Sequence, residues 1–498
     1  MKRIYIILGL ICLLFSGCFK DDGNYDFRDI NEVQITGLPE EMKIYYRNVD
    51  TLKASPAVEG NLDEGDQSRY YYQWQAVSKG QTGTTTSSYI IGTEKELNYF
   101  MVLPDAEYDV YCCVKDTLTR VTWKSSFPIK VTTELNSGWL VLSEVNNACK
   151  LDLISLSGKE SKVIRDVFAE LPVLKGPKRL QSVFNMYTEG VGAPRYYLMS
   201  ESGCYKLNVS DYGWDEALNI RYEMMEYPEG LVSEFRGAGM GWELLIANKA
   251  VYGANAMGVA SPFGLPANYI TGTEDYFDVA ETAAYNMGYS AYMPKKVLYD
   301  MTNRRFVQLA SSYRSCELIT AAETKFTWNT GKDFVYSTTT PFAKSTTYTI
   351  LEEPDSHKRF IYIMSLSSGI TQSNMVDLSA ATDIEKAKCF AVYPSLNWLF
   401  YAVDNLVYLF DMNKNLTTPI RLTNETITLL KFNIFTEVNV NPTIQAQLIV
   451  GSVDNSGPAL NGRLRFYTVP TSWSLEPFEE PVPYDYFGKP VDVMYTTK

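Results

Sequence analysis

The sequence predicts an all-β protein in two parts: a sandwich of short strands over residues 31–133, then a seven- or eight-bladed β-propeller over residues 137–498. Three observations carry this expectation. The long C-terminal part shows almost no amphipathic helical periodicity, while one strand–turn–strand pattern recurs seven times along it. The earlier part alternates apolar and polar residues around Trp74 and Tyr108, with turn residues between the strands. A Gly–Pro strand opener appears three times, last at the C-terminus, where a strand is placed to close a ring.

The first residues read as a leader. Lys2 and Arg3 precede an apolar run from Ile4 to Phe15. A helix needs roughly 20 apolar residues to span a bilayer, so this shorter run fits the hydrophobic region of a secretory signal. Ser16 and Gly17 supply small residues before Cys18. The border resembles a bacterial lipobox, with Phe15 where Leu is commoner. That resemblance implies removal of residues 1–17 and acylation of the Cys18 sulfur; an ordinary signal peptide with an incidental cysteine is the alternative. Two or more acyl chains hold a protein stably on a membrane, whereas one does not.

Residues 18–30 form an acidic linker. Phe19-Lys20-Asp21-Asp22 is similar to the short export signal of Bacteroidetes surface lipoproteins. For Lys20, Asp21 and Asp22 this implies an address on the outer face of the outer membrane. A solvated loop is the plainer reading, since Asp, Gly and Asn favour turns.

Formal charge is −13, with 45 Lys and Arg against 58 Asp and Glu, and loss of Lys2 and Arg3 takes it to −15. An acidic chain without a basic run suits nucleic acid poorly, so no nucleic-acid partner is expected. The 36 Tyr residues suit both strands and contact surfaces for carbohydrate or protein. After Cys18 come Cys112, Cys113, Cys149, Cys204, Cys316 and Cys389, without the paired spacing of a zinc site. Secretion permits disulfides, yet the spacing gives no pairing, and most of these read as small core residues. Adjacent Cys112 and Cys113 point to opposite faces of a strand, which predicts that at most one is readily buried.

Within residues 31–133, "YYYQWQAV" (70–77) is a strong strand centred on Trp74, and "EYDVYCCVKDTLTRVTWKSSFPIKVTT" (107–133) reads as paired strands with an exit. Alternation sets Tyr108, Val110, Cys112 and Val114 on one face. A buried Trp and a Tyr leading a later strand fit an immunoglobulin-like sandwich of about 100 residues. The stretch "CFKDDGNYDFRDINEVQITGL", the Trp74 strand and "GWLVLSE" (138–144) together resemble the PKD-like family of Bacteroidetes lipoproteins. The family's WDFGDG-type turn is absent; the corresponding strand reads "QWQAVSKG". The resemblance implies the sandwich fold and an association with SusC/SusD-like outer-membrane importers that capture glycans or peptides.

The recurring hairpins start at residues 139, 196, 243, 291, 359, 399 and 447. Their spacing of about 50 residues is the scale of a four-stranded blade. "KGPKRLQSVF" (175), "FGLPANYI" (263) and "FGKPVDVMY" (487) are expected to be inner strands of blades, the last pairing in the blade that "GWLVLSE" begins. A run of β-sandwiches is the competing reading.

No catalytic motif, metal-ligand set or cofactor motif stands out. The single histidine, His357 in "EPDSHKRF", reads as a solvated loop residue. "RGAGMG" (236–241) has no βαβ unit around it, so its glycines are expected to let strands approach or turn. "DTL" at 50–52 and 116–118 resembles an Asp-Thr-aliphatic acceptor of protein O-glycosylation, which makes Thr51 and Thr117 candidate sites. The leading expectation is a non-catalytic surface lipoprotein that binds glycan or peptide for an importer. The alternatives are a glycoside hydrolase or lyase using carboxylates in the propeller funnel, and an adhesin for host matrix protein.

Overall fold

The fold comes from a computed structural model. It describes residues 29–497, except 46–50, 80–86, 133–134, 136, 158–160, 168–170, 184–194, 209–211, 240, 256–260, 288–294, 341, 422–424, 434–441, 455, 458, 470–478 and 480. Cys18, Lys20, Asp21 and Asp22 lie outside the described residues. The chain forms two compact units, one ending at Thr133 and one spanning Glu134–Lys498.

The first unit contains β1 (Val33–Thr36), β2 (Met42–Tyr45), β3 (Thr51–Ala54), β4 (Ala57–Gly60), β5 (Tyr70–Ser78), β6 (Ser88–Gly92), β7 (Leu97–Phe100), β8 (Ala106–Asp116) and β9 (Thr122–Thr132). A five-stranded sheet, ordered β2-β9-β8-β5-β6, shares one core with the ribbons β1–β4 and β3–β7. Period-two alternation explains which side chains enter that core. Tyr108, Val110, Cys112 and Val114 from β8 meet Trp74 and Ala76 from β5. The Trp74 indole donates to the Glu94 carbonyl at 2.9 Å, and the Tyr108 hydroxyl donates to the Pro104 carbonyl at 2.9 Å. This last bond, reaching back four residues from the start of a strand, is a tyrosine corner of the immunoglobulin-like kind. Cys113 departs from expectation. It is buried together with Cys112, because its face of the central strand β8 lies between Gln73 and Lys124 on the flanking strands.

Among the described residues the second unit is a propeller of seven sheets. Its strands begin with β10 (Ser137–Val145), β11 (Ala148–Ser155) and β12 (Lys162–Ile164). The second sheet holds β13 (Pro177–Val183), β14 (Arg195–Ser200) and β15 (Gly203–Leu207), and the third β16 (Ser233–Gly239), β17 (Trp242–Ala247) and β18 (Ala250–Asn255). The fourth is β19 (Ala284–Tyr285), β20 (Lys296–Asp300), β21 (Arg305–Leu309) and β22 (Cys316–Leu318). The fifth is β23 (Asp333–Thr339), β24 (Thr346–Glu352), β25 (Arg359–Ser365) and β26 (Thr371–Asp377). The sixth is β27 (Cys389–Tyr393), β28 (Trp398–Val403), β29 (Leu406–Asp411) and β30 (Leu416–Arg421). The seventh is β31 (Thr426–Phe432), β32 (Gln447–Val453), β33 (Gly462–Thr468) and β34 (Tyr484–Phe487). The C-terminal β35 (Lys489–Thr497) returns to pair antiparallel with β10, which completes the first sheet in the order β12-β11-β10-β35.

Seven shared apolar cores join the sheets in a ring. Leu151 and Leu198 belong to the core between the first and second sheets, Met199 and Leu245 to the next, then Leu244 and Leu298. Tyr299 with Tyr362, Ile350 with Leu399 and Phe400 with Phe432 continue the series. Val141 and Leu464 lie in the core that joins the seventh sheet back to the first. The ring is closed by packing as well as by β35.

All seven recurring hairpins are present, one per sheet. Their turns use left-handed residues where a two-residue loop demands them: Asn146 and Asn147 have φ of 52° and 65°, Asn248 and Lys249 48° and 61°. The hairpin starting at residue 359 supplies the third and fourth strands of its sheet. One expectation needs correction. "FGLPANYI" is not an inner strand. Gly264 N and Ala267 N donate to the Gly253 and Val251 carbonyls, so it runs outside β18 as an irregular edge. Pro266 has no N–H to offer a regular ladder there.

Candidate functional site: the propeller channel

One edge strand of each sheet, β35 in the first and the earliest strand in the other six, lines a common cavity of about 290 Å³. β13 brings Lys178, Arg179 and Gln181; β16 and β19 bring Phe235 and Tyr285. β23 brings Tyr336, Ser337, Thr338 and Thr339, and β27 brings Phe390. Lys431 and Asp492 come from β31 and β35. Residues from remote parts of the sequence meet here because each blade contributes the same strand position.

Asp492 ties three blades together. One carboxylate oxygen accepts from Lys431 Nζ at 2.7 Å and from Val493 N at 2.8 Å; the other accepts from Leu180 N at 2.9 Å. It is the only carboxylate among the described lining residues, and its acceptor sites are largely used by structure.

Arg179 differs from it. Its guanidinium lies 5.7 Å from the Phe235 ring centre, and no acceptor bonds it among the described residues. Across the channel Tyr336 packs on Phe390 with ring centres 5.4 Å apart. Burial pushes the Tyr336 phenol up to about 12, while the Thr338 hydroxyl and the Arg179 charge pull the other way. Thr339 is 6% exposed, and its hydroxyl has no hydrogen-bond partner among the described residues.

"RGAGMG" has a packing role. Arg236 is fully buried, bonded to Glu223 at 2.6 Å and Glu243 at 2.5 Å, and lies 4.2 Å over the Tyr197 ring. A Cβ at Gly237 would come within 2.9 Å of the Tyr285 ring, so the glycine admits the neighbouring blade.

The O-glycosylation candidates sit in the first unit. Thr51 opens β3 opposite Phe100 and is half-buried. Thr117 is exposed in the β8–β9 turn, where its hydroxyl donates to the Arg69 carbonyl at 2.8 Å. Beside it Asp116 is fully buried. Burial raises its carboxyl, but the Arg69 guanidinium at 2.6 Å, the N–H groups of Leu118 and Thr119, and the Asn31 amide outweigh that and hold it well below the ordinary carboxylate range. His357 is exposed in the β24–β25 turn and bonds Glu352 at 2.9 Å. The six cysteines after Cys18 are all free, five of them buried and Cys389 half-buried. No cluster of three or more His, Cys, Asp or Glu suited to a metal occurs among the described residues.

Arg179, Tyr336, Thr339 and Asp492 were not identifiable as site residues from sequence. "KGPKRLQSVF" and "FGKPVDVMY" do mark two of the strands that carry them. What the sequence lacked was which side of each inner strand would meet the axis.

A model of the PKD-like family matches residues 18–172. No curated protein matches the chain. Similar solved structures include a quinonprotein alcohol dehydrogenase-like protein of Bacteroides thetaiotaomicron, 12% identical, covering 94% of this chain and 100% of that one with a TM-score of 0.42. A DUF4784 family protein of Bacteroides caccae is 9% identical, covers 79% and 96%, and has a TM-score of 0.32. The WD40 domain of SCAP from fission yeast is 8% identical, covers 62% and 74%, and has a TM-score of 0.34.

Proposed function

We propose that this protein is a cell-surface lipoprotein, held on the outer membrane through Cys18, that binds glycan or peptide ligands without transforming them and serves a SusC/SusD-like importer. The observation that carries the binding role is the channel. Aromatic side chains and polar groups, Arg179 and Thr339 among them, converge on one cavity, as in small-ligand sites. A glycosidase mechanism asks for two facing carboxylates, whereas the described lining offers Asp492 alone, already engaged by Lys431 and two backbone N–H groups. The surface address rests on the lipobox-like border and on Lys20, Asp21 and Asp22, with a PKD-like match that starts at residue 18.

Two measurements test this. Cys18→Ala should release the protein from membranes and abolish acyl labelling, and alanine at Lys20, Asp21 and Asp22 should keep the lipid but protect the protein from protease added to intact cells. Retained membrane attachment in the first variant would remove the anchor. A panel of oligosaccharides and peptides should yield a saturable ligand recovered chemically unchanged; turnover of that ligand would replace the binding role with catalysis.

A further inference from the structure

We infer that the channel of the second unit takes a carboxylated sugar, a uronic-acid unit, with Arg179 gripping the carboxylate. This rests on reading the channel as a ligand site and names its ligand class.

Charge balance singles out Arg179. Three cations near the inner strands are already paired: Lys431 with Asp492, and Arg195 and Arg236 with Glu243. Arg179 has no such partner among the described residues, although it is half-buried. A guanidinium is a donor only, with a planar fork that matches a carboxylate in two parallel hydrogen bonds. Lys178 beside it is exposed and forms no ion pair among the described residues, so a second positive charge flanks the site in a chain of net charge −13. Glu234 on β16 feels both cations but bonds neither; its carboxylate accepts from the Lys249 backbone N–H, and burial together with Glu281 raises its pKa.

The remaining lining suits a sugar body better than a bare anion. Phe235, Tyr285 and Phe390 supply apolar wall for the C–H groups of a sugar ring. The Thr339 hydroxyl is buried, without a partner among the described residues, and Thr339 is part of the cavity wall, so a ligand hydroxyl there would relieve the desolvation cost of that group. A volume of about 290 Å³ stands at the lower end of the roughly 300–1,000 Å³ typical of small-ligand pockets. It fits one terminal unit, not a chain threaded through.

Calorimetric titration of the mature-length chain with D-galacturonate, D-glucose and inorganic phosphate tests the assignment. Galacturonate should bind saturably, with glucose and phosphate each at least about tenfold weaker, as expected from losing one charge-assisted bidentate contact or the sugar contacts. Arg179→Met should weaken galacturonate by at least about tenfold, and Arg179→Lys, which keeps the charge but not the fork, by several-fold. Unaltered melting of both variants serves as the folding control, and Thr339→Val supplies an independent loss of several-fold. Galacturonate binding that is absent, or unchanged in Arg179→Met, overturns the proposal. So does glucose or phosphate binding as tightly as galacturonate. Binding of neutral glycans without galacturonate would sink this assignment and leave the general ligand-binding role standing.

Discussion

Lys296 is 3% exposed, at the start of β20, and no carboxylate bonds it among the described residues. Its ammonium lies 4.6 Å from the Trp242 and Tyr313 ring centres, and the Tyr313 hydroxyl accepts from it at 3.4 Å. Aromatic faces attract a cation but do not replace its hydration. Burial, helped by the neighbouring charge of Lys295, therefore lowers its pKa to about 7. The sign follows directly. Between about 7 and the ordinary lysine value the unfolded chain holds the proton and the folded chain does not, so stability rises with pH across that window and falls as pH drops through it. The span is on the order of several kcal/mol. Lys296→Met should stabilise the second unit at pH 7, and urea titrations at pH 7 and 9.5 should show wild type catching up with the variant. Parallel midpoints for the two proteins at both pH values would refute this. At this scale the sequence was legible where alternation alone decides burial, as for Trp74 and Tyr108. It was silent on Thr339, and on Lys296 and Arg179, which lie beside Trp242 and Phe235 of a neighbouring blade.

β35 shows the same contrast one level up. Its Gly–Pro opener and alternation made it readable as a closing strand, because an edge left open at both ends of the ring would expose unpaired backbone groups. "FGLPANYI" carries a similar opener yet runs outside β18; a tripeptide-scale signal cannot distinguish inner from outer edges of a blade. Closure depends on tight approach. A Cβ at Gly488 would meet the Glu144 carbonyl oxygen at 2.6 Å, and Trp139 packs 4.9 Å from Phe466 and 5.1 Å from Tyr495 across the seam. Ending the chain after Pro483 removes β34 and β35, and with them the Asp492 bonds to Lys431 and Leu180 N. The lost hydrogen bonds and buried apolar area amount to ~5 kcal/mol or more, comparable to the net stability of a domain. The truncated protein should melt many degrees earlier or aggregate. Calorimetry decides it, and an unchanged melting profile would mean that β35 contributes little to closure.

Across the whole molecule, the cores divide where the units do. The apolar cluster of the first unit draws its buried members from residues 33–131, whereas the seven clusters described in the ring draw theirs from residues 139–494. Cooperative unfolding follows shared packing, so separate cores should give separate transitions. The division was legible because the hairpin repeat begins only after the Trp74–Tyr108 pattern ends. The exact ring of seven was not, since two blades show three regular strands among the described residues and sets of four do not recur at an even spacing. Single core truncations make the separation measurable. Trp74 and Leu244 are both fully buried. Trp74→Ala should cost ~3–5 kcal/mol and Leu244→Ala ~2–5 kcal/mol, each from lost transfer energy and a residual cavity. In denaturant titrations followed by hydrogen exchange, Trp74→Ala should shift protection of β5 and β8 alone, and Leu244→Ala that of the blade strands alone. If either substitution moves both sets of amides by the same free energy, the two units unfold as one, and the packing boundary at residues 133–134 does not divide the folding unit.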